Sequence, residues 1–158
     1  LVLLLLAASL PALVAAQNGN SNQTDPFVGT WNLNVARSHF KPGPAPTSGT
    51  VTIASDRVSV HTVTNTQNGE KTADWSYTPG SEGQPAQITG TGGMQNCTVT
   101  SKKVNDRTVE HTWNCNGQVL HGRGMVAKNG KTMRYTMTGT GSNGKRVHNV
   151  EVYTKEGS

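Results

Sequence analysis

The sequence predicts an all-β fold, an antiparallel up-and-down meander of about ten strands that closes into a barrel. Between residues 28 and 153 there is no amphipathic helical window, and short Thr/Val-rich alternating segments recur instead. Four Asn-Gly pairs, the strongest short signal for a tight hairpin, separate these segments. They lie at 68–69, 116–117, 129–130 and 143–144. Since a meander of this size exposes two strand edges unless it closes, we expect a barrel.

The predicted strands are short and evenly spaced. They lie near 28–36, 49–54, 57–65, 71–78, 85–90, 96–103, 107–115, 118–128, 131–140 and 145–154, with 85–90 the weakest pattern. The one long connection runs from Arg37 to Ser48 and contains three prolines, which favour a stiff, extended path. We expect this connection to act as a flap over one mouth of the barrel.

The 158 residues are enough for one domain, which we place at 27–158. Residues 1–16 are apolar and end in small residues, so we interpret them as a truncated signal peptide. Residues 17–26 are polar and Asn-rich, and we interpret them as a flexible leader. The signal predicts a secreted or periplasmic protein with no transmembrane segment after signal removal.

The formal net charge is +5 and is unevenly placed, with ten Lys/Arg against four Asp/Glu in residues 95–158. A solvated basic face that keeps the protein soluble is the simplest interpretation. In the alternative, one basic side of the protein suits an anionic ligand group or an anionic envelope surface. Basic and aromatic residues do not interleave on one outward face, so we expect no nucleic-acid partner. Nothing in the pattern indicates an oligomer, and we expect a monomer.

Two-residue turns set strand register, so each hairpin predicts which side chains face inward. The predicted pairs are Val60 with Tyr77, Thr62 with Trp75, His111 with Gly122, Trp113 with Leu120, Tyr135 with Gly124, and Met137 with Val150. The inward set of the last four strands is then Val109, His111, Trp113, Leu120, Gly122, Gly124, Val126, Met133, Tyr135, Met137, His148, Val150 and Val152. The same registers place Asn149 and Glu151 on the outer face.

The two cysteines, Cys97 and Cys115, are predicted to form a disulfide. A three-residue turn at 105–107 would set them directly opposite each other on the inward face, with Val99 opposite Trp113. In a reducing compartment they would instead be small apolar core residues.

The first strand contains Gly29-Thr30-Trp31, which resembles the Gly-x-Trp motif of the lipocalins and their calycin relatives. The resemblance implies that Trp31 closes one end of the barrel and that Gly29 lets the chain pass close beneath it. The longer run 25–53, which includes PGPAP, is similar to exported bacterial lipocalin-like proteins without assigned function. The Thr-Asp-Tyr motif of typical lipocalins is absent, so the resemblance implies a barrel with an internal site rather than a particular substrate.

The inward set mixes aromatic, aliphatic and a few polar side chains, which is typical of a small-ligand pocket. The predicted ligand-binding residues are Trp75, Tyr77, His111, Trp113, Tyr135, Met137 and His148. We expect open space beside Gly122 and Gly124. In the alternative, the aromatic side chains fill that space.

We therefore predict an exported protein that binds a small, mostly apolar or amphipathic ligand non-covalently and is not an enzyme. The alternative is a non-catalytic interaction or inhibitor barrel that binds a macromolecule through its outer surface or loops. A third interpretation is haem binding through His148; otherwise no cofactor is implied. His111 and His148 would lie roughly 14 Å apart, too far to share a metal ion.

Three residues of hydrolase type, His61, Asp74 and Ser76, are predicted near one another on the outer face of the second hairpin. In the predicted register Ser76 lies opposite His61, with Asp74 diagonal to it. No pocket or oxyanion donors are expected there, so we interpret the grouping as a chance surface pairing.

Overall fold

The computed structural model describes residues 25–94 and 96–158. The predicted signal peptide, 1–16, and most of the predicted leader lie outside these residues. The described chain contains eleven strands: β1 (Gly29–Leu33), β2 (Ser48–Ile53), β3 (Val58–Thr66), β4 (Gly69–Tyr77), β5 (Pro85–Gln87), β6 (Thr89–Gly90), β7 (Cys97–Asn105), β8 (Thr108–Cys115), β9 (Gln118–Val126), β10 (Thr132–Thr140) and β11 (Arg146–Lys155). A short 3₁₀ helix, Val35–Arg37, follows β1.

All eleven strands form one sheet in the order β5-β7-β8-β9-β10-β11-β1-β2-β3-β4-β6. The two outermost strands adjoin in sequence at Ile88, so this segment connects β7 to β4 and nearly closes the barrel. The all-β antiparallel class is confirmed, with eleven strands rather than about ten, because the predicted strand 85–90 is split. Gly90 has φ +133 and passes so close to β4 that a Cβ would lie 2.1 Å from the Asp74 carbonyl oxygen.

Trp31 lies near the end of the barrel where β1 begins, and we call this end the tryptophan end. Trp31 is fully buried, and its Nε1 donates to the Phe27 carbonyl oxygen at 2.7 Å. It belongs to a buried cluster with Phe27, Val126, Met133 and Tyr153. A Cβ on Gly29 would meet the Lys155 side chain at 2.6 Å, so the motif glycine permits the close approach that the resemblance implied.

The opposite end carries the connection between β1 and β2 and the turn at 116–117, and we call it the proline end. Here His39 and Val150 exchange backbone hydrogen bonds of 2.7 Å. His148 N also donates to the Lys41 carbonyl oxygen at 2.7 Å. The connection thus continues alongside β11 where β1 has ended, because the unpaired edge of β11 needs hydrogen-bond partners.

The registers of β8 with β9 and of β9 with β10 are those predicted. Asn116 and Gly117 both have positive φ, 53° and 83°, as a two-residue type I′ turn requires. Cys97 lies opposite Cys115 and the two form a disulfide. The predicted three-residue turn is instead a two-residue turn with a bulge between Lys103 and Asn105, which produces the same register.

The β3–β4 hairpin is offset by two residues from the prediction. Val60 lies opposite Trp75 rather than Tyr77, because the turn is formed by residues 67 and 68. Side chains alternate with a period of two along a strand, so an even offset leaves the faces unchanged. Trp75 and Tyr77 therefore face inward as predicted.

The β10–β11 hairpin differs by one residue, and the prediction for β11 was wrong. Met137 lies opposite Asn149 rather than Val150. The loop has three residues, 142–144, of which only Gly144 has positive φ, and Gly141 N donates to the Lys145 carbonyl oxygen at 2.9 Å. A one-residue slip turns every side chain of β11 to the other face. His148, Val150 and Val152 therefore point outward, whereas Glu151 points inward.

Across residues 25–94 and 96–158, no helix is long and apolar enough to cross a membrane.

Candidate ligand-binding cavity

The barrel encloses a cavity of about 590 Å³. Its wall is mainly apolar and comes from strands on all sides of the barrel. The aliphatic and methionine residues that line it are Val28, Val51, Ile53, Ala54, Val58, Val60, Val109, Met133 and Met137. This arrangement is typical of ligand pockets, which are predominantly hydrophobic with a few placed polar groups.

The cavity reaches the surface at the tryptophan end, so Trp31 does not close this end as the resemblance implied. Its rim contains Asp25, Ser55 of the β2–β3 turn, Pro79 and Glu82 of the β4–β5 loop, and Lys103 near the end of β7. No residue of the described connection 37–48 lines the cavity. The prediction that this connection acts as a flap over the mouth was therefore wrong: the prolines lie at the opposite end of the barrel.

Six of the seven predicted ligand-binding residues line the cavity: Trp75, Tyr77, His111, Trp113, Tyr135 and Met137. The seventh, His148, is exposed on the outer face because of the slip in β11. The internal polar anchor and the axial haem ligand that we predicted at His148 are thus both excluded by the position of its side chain.

Three aromatic rings form one rigid part of the wall. Trp75 and Tyr77 each meet Trp113 edge to face, with ring centroids 5.5 Å and 6.1 Å apart. Behind them, Trp113 and Tyr77 pack in a buried cluster that includes Val99 and Cys97, so the disulfide supports this part of the wall. Edge-to-face pairs of this kind are favourable and restrict ring motion.

Tyr135 connects the aromatic wall to His111. The Trp113 Nε1 donates to the Tyr135 hydroxyl oxygen at 2.8 Å, and that oxygen lies 3.3 Å from His111 Nδ1. A Cβ on Gly122 would lie 1.8 Å from the same hydroxyl oxygen. The space beside Gly122, which we expected to be open, is thus filled by the tyrosine, and the cavity lies elsewhere along the barrel.

Burial sets the charge state of these groups. It lowers the pKa of His111 to about 4, so the imidazole is neutral at neutral pH. The indole only donates, so the Tyr135 hydroxyl oxygen accepts from Trp113. The hydroxyl proton then remains for His111 Nδ1, the other hydrogen-bond partner of this oxygen among the described residues. His111 then carries its proton on Nε2. Burial also raises the pKa of Tyr77 to about 12 and raises that of Tyr135 further.

Glu151 is the site residue that the sequence analysis missed. It lines the cavity, and the Tyr153 hydroxyl donates to its Oε2 at 2.6 Å. Burial raises the pKa of the Glu151 carboxyl above its usual value. One signal was present in the sequence: Ser142-Asn143-Gly144 also fits a three-residue loop with glycine at the left-handed position, which would have turned Glu151 inward.

The outer face of β3 and β4 holds the three residues of hydrolase type. His61 Nδ1 lies 2.6 Å from Asp74 Oδ1, but Ser76 lies opposite Ser59 and accepts a hydrogen bond from Arg57 Nη2 at 2.7 Å. The serine is thus not hydrogen-bonded to the histidine, and the three side chains do not form a relay.

No protein-family model matches the chain, and no curated protein matches it in sequence. Among solved structures, the crystal structure of a mutant of the fluorescent protein UnaG is similar to the chain. The two share 15% sequence identity with a TM-score of 0.52, over 84% of this chain and 98% of that one. At this identity the likeness concerns the fold alone, and it confirms the lipocalin-like calycin β-barrel that the Gly-x-Trp motif implied.

Proposed function

We propose that this protein is an exported carrier or receptor that binds one small, mostly apolar ligand non-covalently inside its barrel. The observation that supports the proposal is the cavity of about 590 Å³. Its volume lies within the range of about 300–1,000 Å³ found for sites that bind small molecules. A calycin-like barrel is consistent with such a ligand.

In this proposal the wall groups have separate roles. The rings of Trp75 and Trp113 contact the apolar body of the ligand, and Met137 adapts to its shape. His111, neutral and hydrogen-bonded through Nδ1 to Tyr135, offers a single N–H donor from Nε2. The ligand enters at the tryptophan end, between the β4–β5 loop and the β2–β3 turn.

We assign no reaction to the cavity. Among the described residues that line it, the one imidazole is already engaged by a tyrosine hydroxyl and carries no acidic partner. A secreted or periplasmic location is part of the proposal, and the Cys97–Cys115 disulfide is compatible with it because such bonds persist in oxidising compartments.

The alternative is an interaction barrel with a filled interior. It agrees with the space beside Gly122, because the Tyr135 side chain fills that space. It does not explain the remaining cavity volume. A cavity of this size that opens to water leaves the apolar side chains of its wall hydrated, which is unfavourable until an apolar ligand covers them. We therefore favour the ligand-binding proposal.

The experiment is a fluorescence titration with Nile red, a neutral apolar dye, alongside native mass spectrometry of the protein purified without detergent. Met137→Trp should reduce the cavity and weaken dye binding at least about tenfold. Thr138→Trp places the same side chain on the outer face of the same strand and should bind as the unmodified protein does. Absence of both dye binding and any retained adduct would overturn the proposal, as would equal loss of binding in the two variants.

A further inference from the structure

The charge of the cavity is opposite to that of the molecule. The protein has a formal net charge of +5. The cavity lining, however, holds three carboxyl groups, on Asp25, Glu82 and Glu151, against one ammonium group, on Lys103. An acidic pocket in a basic protein attracts a cationic ligand group and disfavours an anionic one.

Two of these carboxyl groups lie at the exposed rim, but Glu151 lies inside the barrel, opposite Tyr135. Tyr153 donates to its Oε2 at 2.6 Å, and no described residue hydrogen-bonds its Oε1. The surface that Glu151 leaves accessible faces the cavity that it lines. Oε1 is therefore open to the cavity, where a donor on a bound ligand can reach it.

The aromatic wall is suited to the same kind of ligand. Trp75, Tyr77 and Trp113 line the cavity together with Glu151. Aromatic faces attract cations, and they do so more strongly where water is excluded. The lysines do not counter this preference: Lys103 is exposed at the rim, and the Lys155 ammonium group lies 5.1 Å from the centre of the Trp31 ring, outside the lining.

We propose that the ligand is a cationic amphiphile, an apolar body with a basic amine whose ammonium group pairs with the Glu151 carboxylate inside the barrel. This inference rests on the proposed function and names the chemical class of its ligand. An ammonium group donates up to three hydrogen bonds, so it satisfies Oε1 directly while Tyr153 holds Oε2. A fatty acid or other carboxylate would instead place a second negative charge beside the first.

Burial is consistent with this assignment. It raises the pKa of the Glu151 carboxyl, with the Tyr153 hydroxyl bond acting against the rise. Burial thus makes an unpaired carboxylate at this position less favourable than one in water. An arriving ammonium group supplies the countercharge that the ionised form needs.

The test compares three probes with the same apolar chain: decylamine, 1-decanol and decanoate, each below its aggregation concentration. Binding is measured by isothermal titration calorimetry and by quenching of tryptophan fluorescence. We expect decylamine to bind at least about tenfold more tightly than decanol, and decanoate to bind least. Equal or tighter binding of decanoate or decanol would overturn the inference, and this ranking requires no mutation.

The second arm uses Glu151→Gln with Glu110→Gln as the matched control. Glu110 is on the outer face of β8, paired with Arg123, so its substitution makes the same change of charge away from the cavity. Glu151→Gln should weaken decylamine binding at least about tenfold and change the affinity for decanol by less than about twofold. Glu110→Gln should change neither affinity. Unchanged decylamine affinity in Glu151→Gln would also overturn the inference. If none of the three probes bound the unmodified protein while Nile red did, this inference alone would fail; if Nile red did not bind either and no adduct was retained, the proposed function would fail.

Discussion

Two hairpins of this barrel carry the same turn dipeptide and fold differently. Asn116-Gly117 forms a two-residue turn in which both residues have positive φ. Asn143-Gly144 lies in a three-residue loop in which only the glycine does. The first turn gives β8 and β9 their predicted register, and the second shifts β11 by one residue. A turn dipeptide therefore predicts that a hairpin forms, but not how many residues its loop contains.

The difference determines the chemistry of the cavity. On the β8–β9 side, the predicted register brings His111 inward as a neutral imidazole held by Tyr135. On the β10–β11 side, the slip exchanges His148 for Glu151 as the inward residue. The pocket thus acquires a carboxyl group in place of the second imidazole that the sequence predicted, and the ligand class that we propose follows from this exchange.

The largest expected effect comes from adding a side chain at Gly122, inside the barrel on the β8–β9 hairpin. Gly122→Val would place a side chain where the Tyr135 hydroxyl lies, because a Cβ there would be 1.8 Å from its oxygen. Overpacking and the loss of the Trp113 and His111 hydrogen bonds should lower the free energy of unfolding by about 3–4 kcal/mol in urea denaturation. Gly124→Ala is the milder comparison, with its Cβ 3.1 Å from Val109, and should cost less. A loss under about 1 kcal/mol for Gly122→Val would show that the tyrosine is free to move.

The next largest effect is expected from removing the disulfide, which one hairpin has and the other lacks. The β7–β8 hairpin is closed by Cys97–Cys115, a separation of 18 residues, while β10–β11 has no such bond. Replacing both cysteines by alanine should cost about 3 kcal/mol, since the bond restricts the unfolded chain. Urea denaturation with and without reductant measures the loss. Reductant should destabilise the unmodified protein and leave the double variant unchanged; insensitivity of both would mean that the bond does not contribute.

His111 and Glu151 should give pH dependences of opposite sign. The pKa of His111 is lowered to about 4 from 6.5, so the unfolded chain binds more protons and stability is lost as pH falls from about 6.5 to about 4, by up to about 3 kcal/mol. The pKa of Glu151 is raised, so its contribution to stability is lost as pH rises above 4.5. Urea denaturation across this pH range checks both. His111→Gln should remove the loss of stability as pH falls, and Glu151→Gln should remove the loss of stability as pH rises above 4.5. If His111→Gln still lost the same stability in acid, His111 would not be the group responsible.

The smallest effect is expected at His148, and it tests the one-residue shift in the register of β11. His148 is exposed on the outer face, and its contact with the connection is through backbone atoms. His148→Ala should therefore change stability by less than about 0.5 kcal/mol and leave Nile red affinity unaltered. His111→Ala, on the inward side of β8, should lower the affinity for Nile red. A clear loss of dye affinity in His148→Ala would instead place that side chain inside and restore the predicted register.

Much of the site was predictable because its residues lie on strands whose register tolerates error. The β3–β4 turn was misplaced by two residues, yet Trp75 and Tyr77 still face inward, since alternation has a period of two. The three-residue turn predicted at 105–107 was also wrong, and a bulge restored the pairing of Cys97 with Cys115. Only the odd slip in β11 exchanged one set of residues for another.

The sequence by itself determined the all-β meander, the inward position of Trp31, the disulfide and the aromatic side of the cavity. These follow from local alternation, turn propensity and a short motif, which act over neighbouring residues. Tertiary structure alone decided that Glu151 faces inward, that Tyr135 fills the space beside Gly122, and that the mouth lies away from the prolines. Each of these depends on contacts between strands distant in sequence. The part of β11 that does not pair with β1 binds the connection at His39, and the cavity is the volume left between side chains that come from many strands.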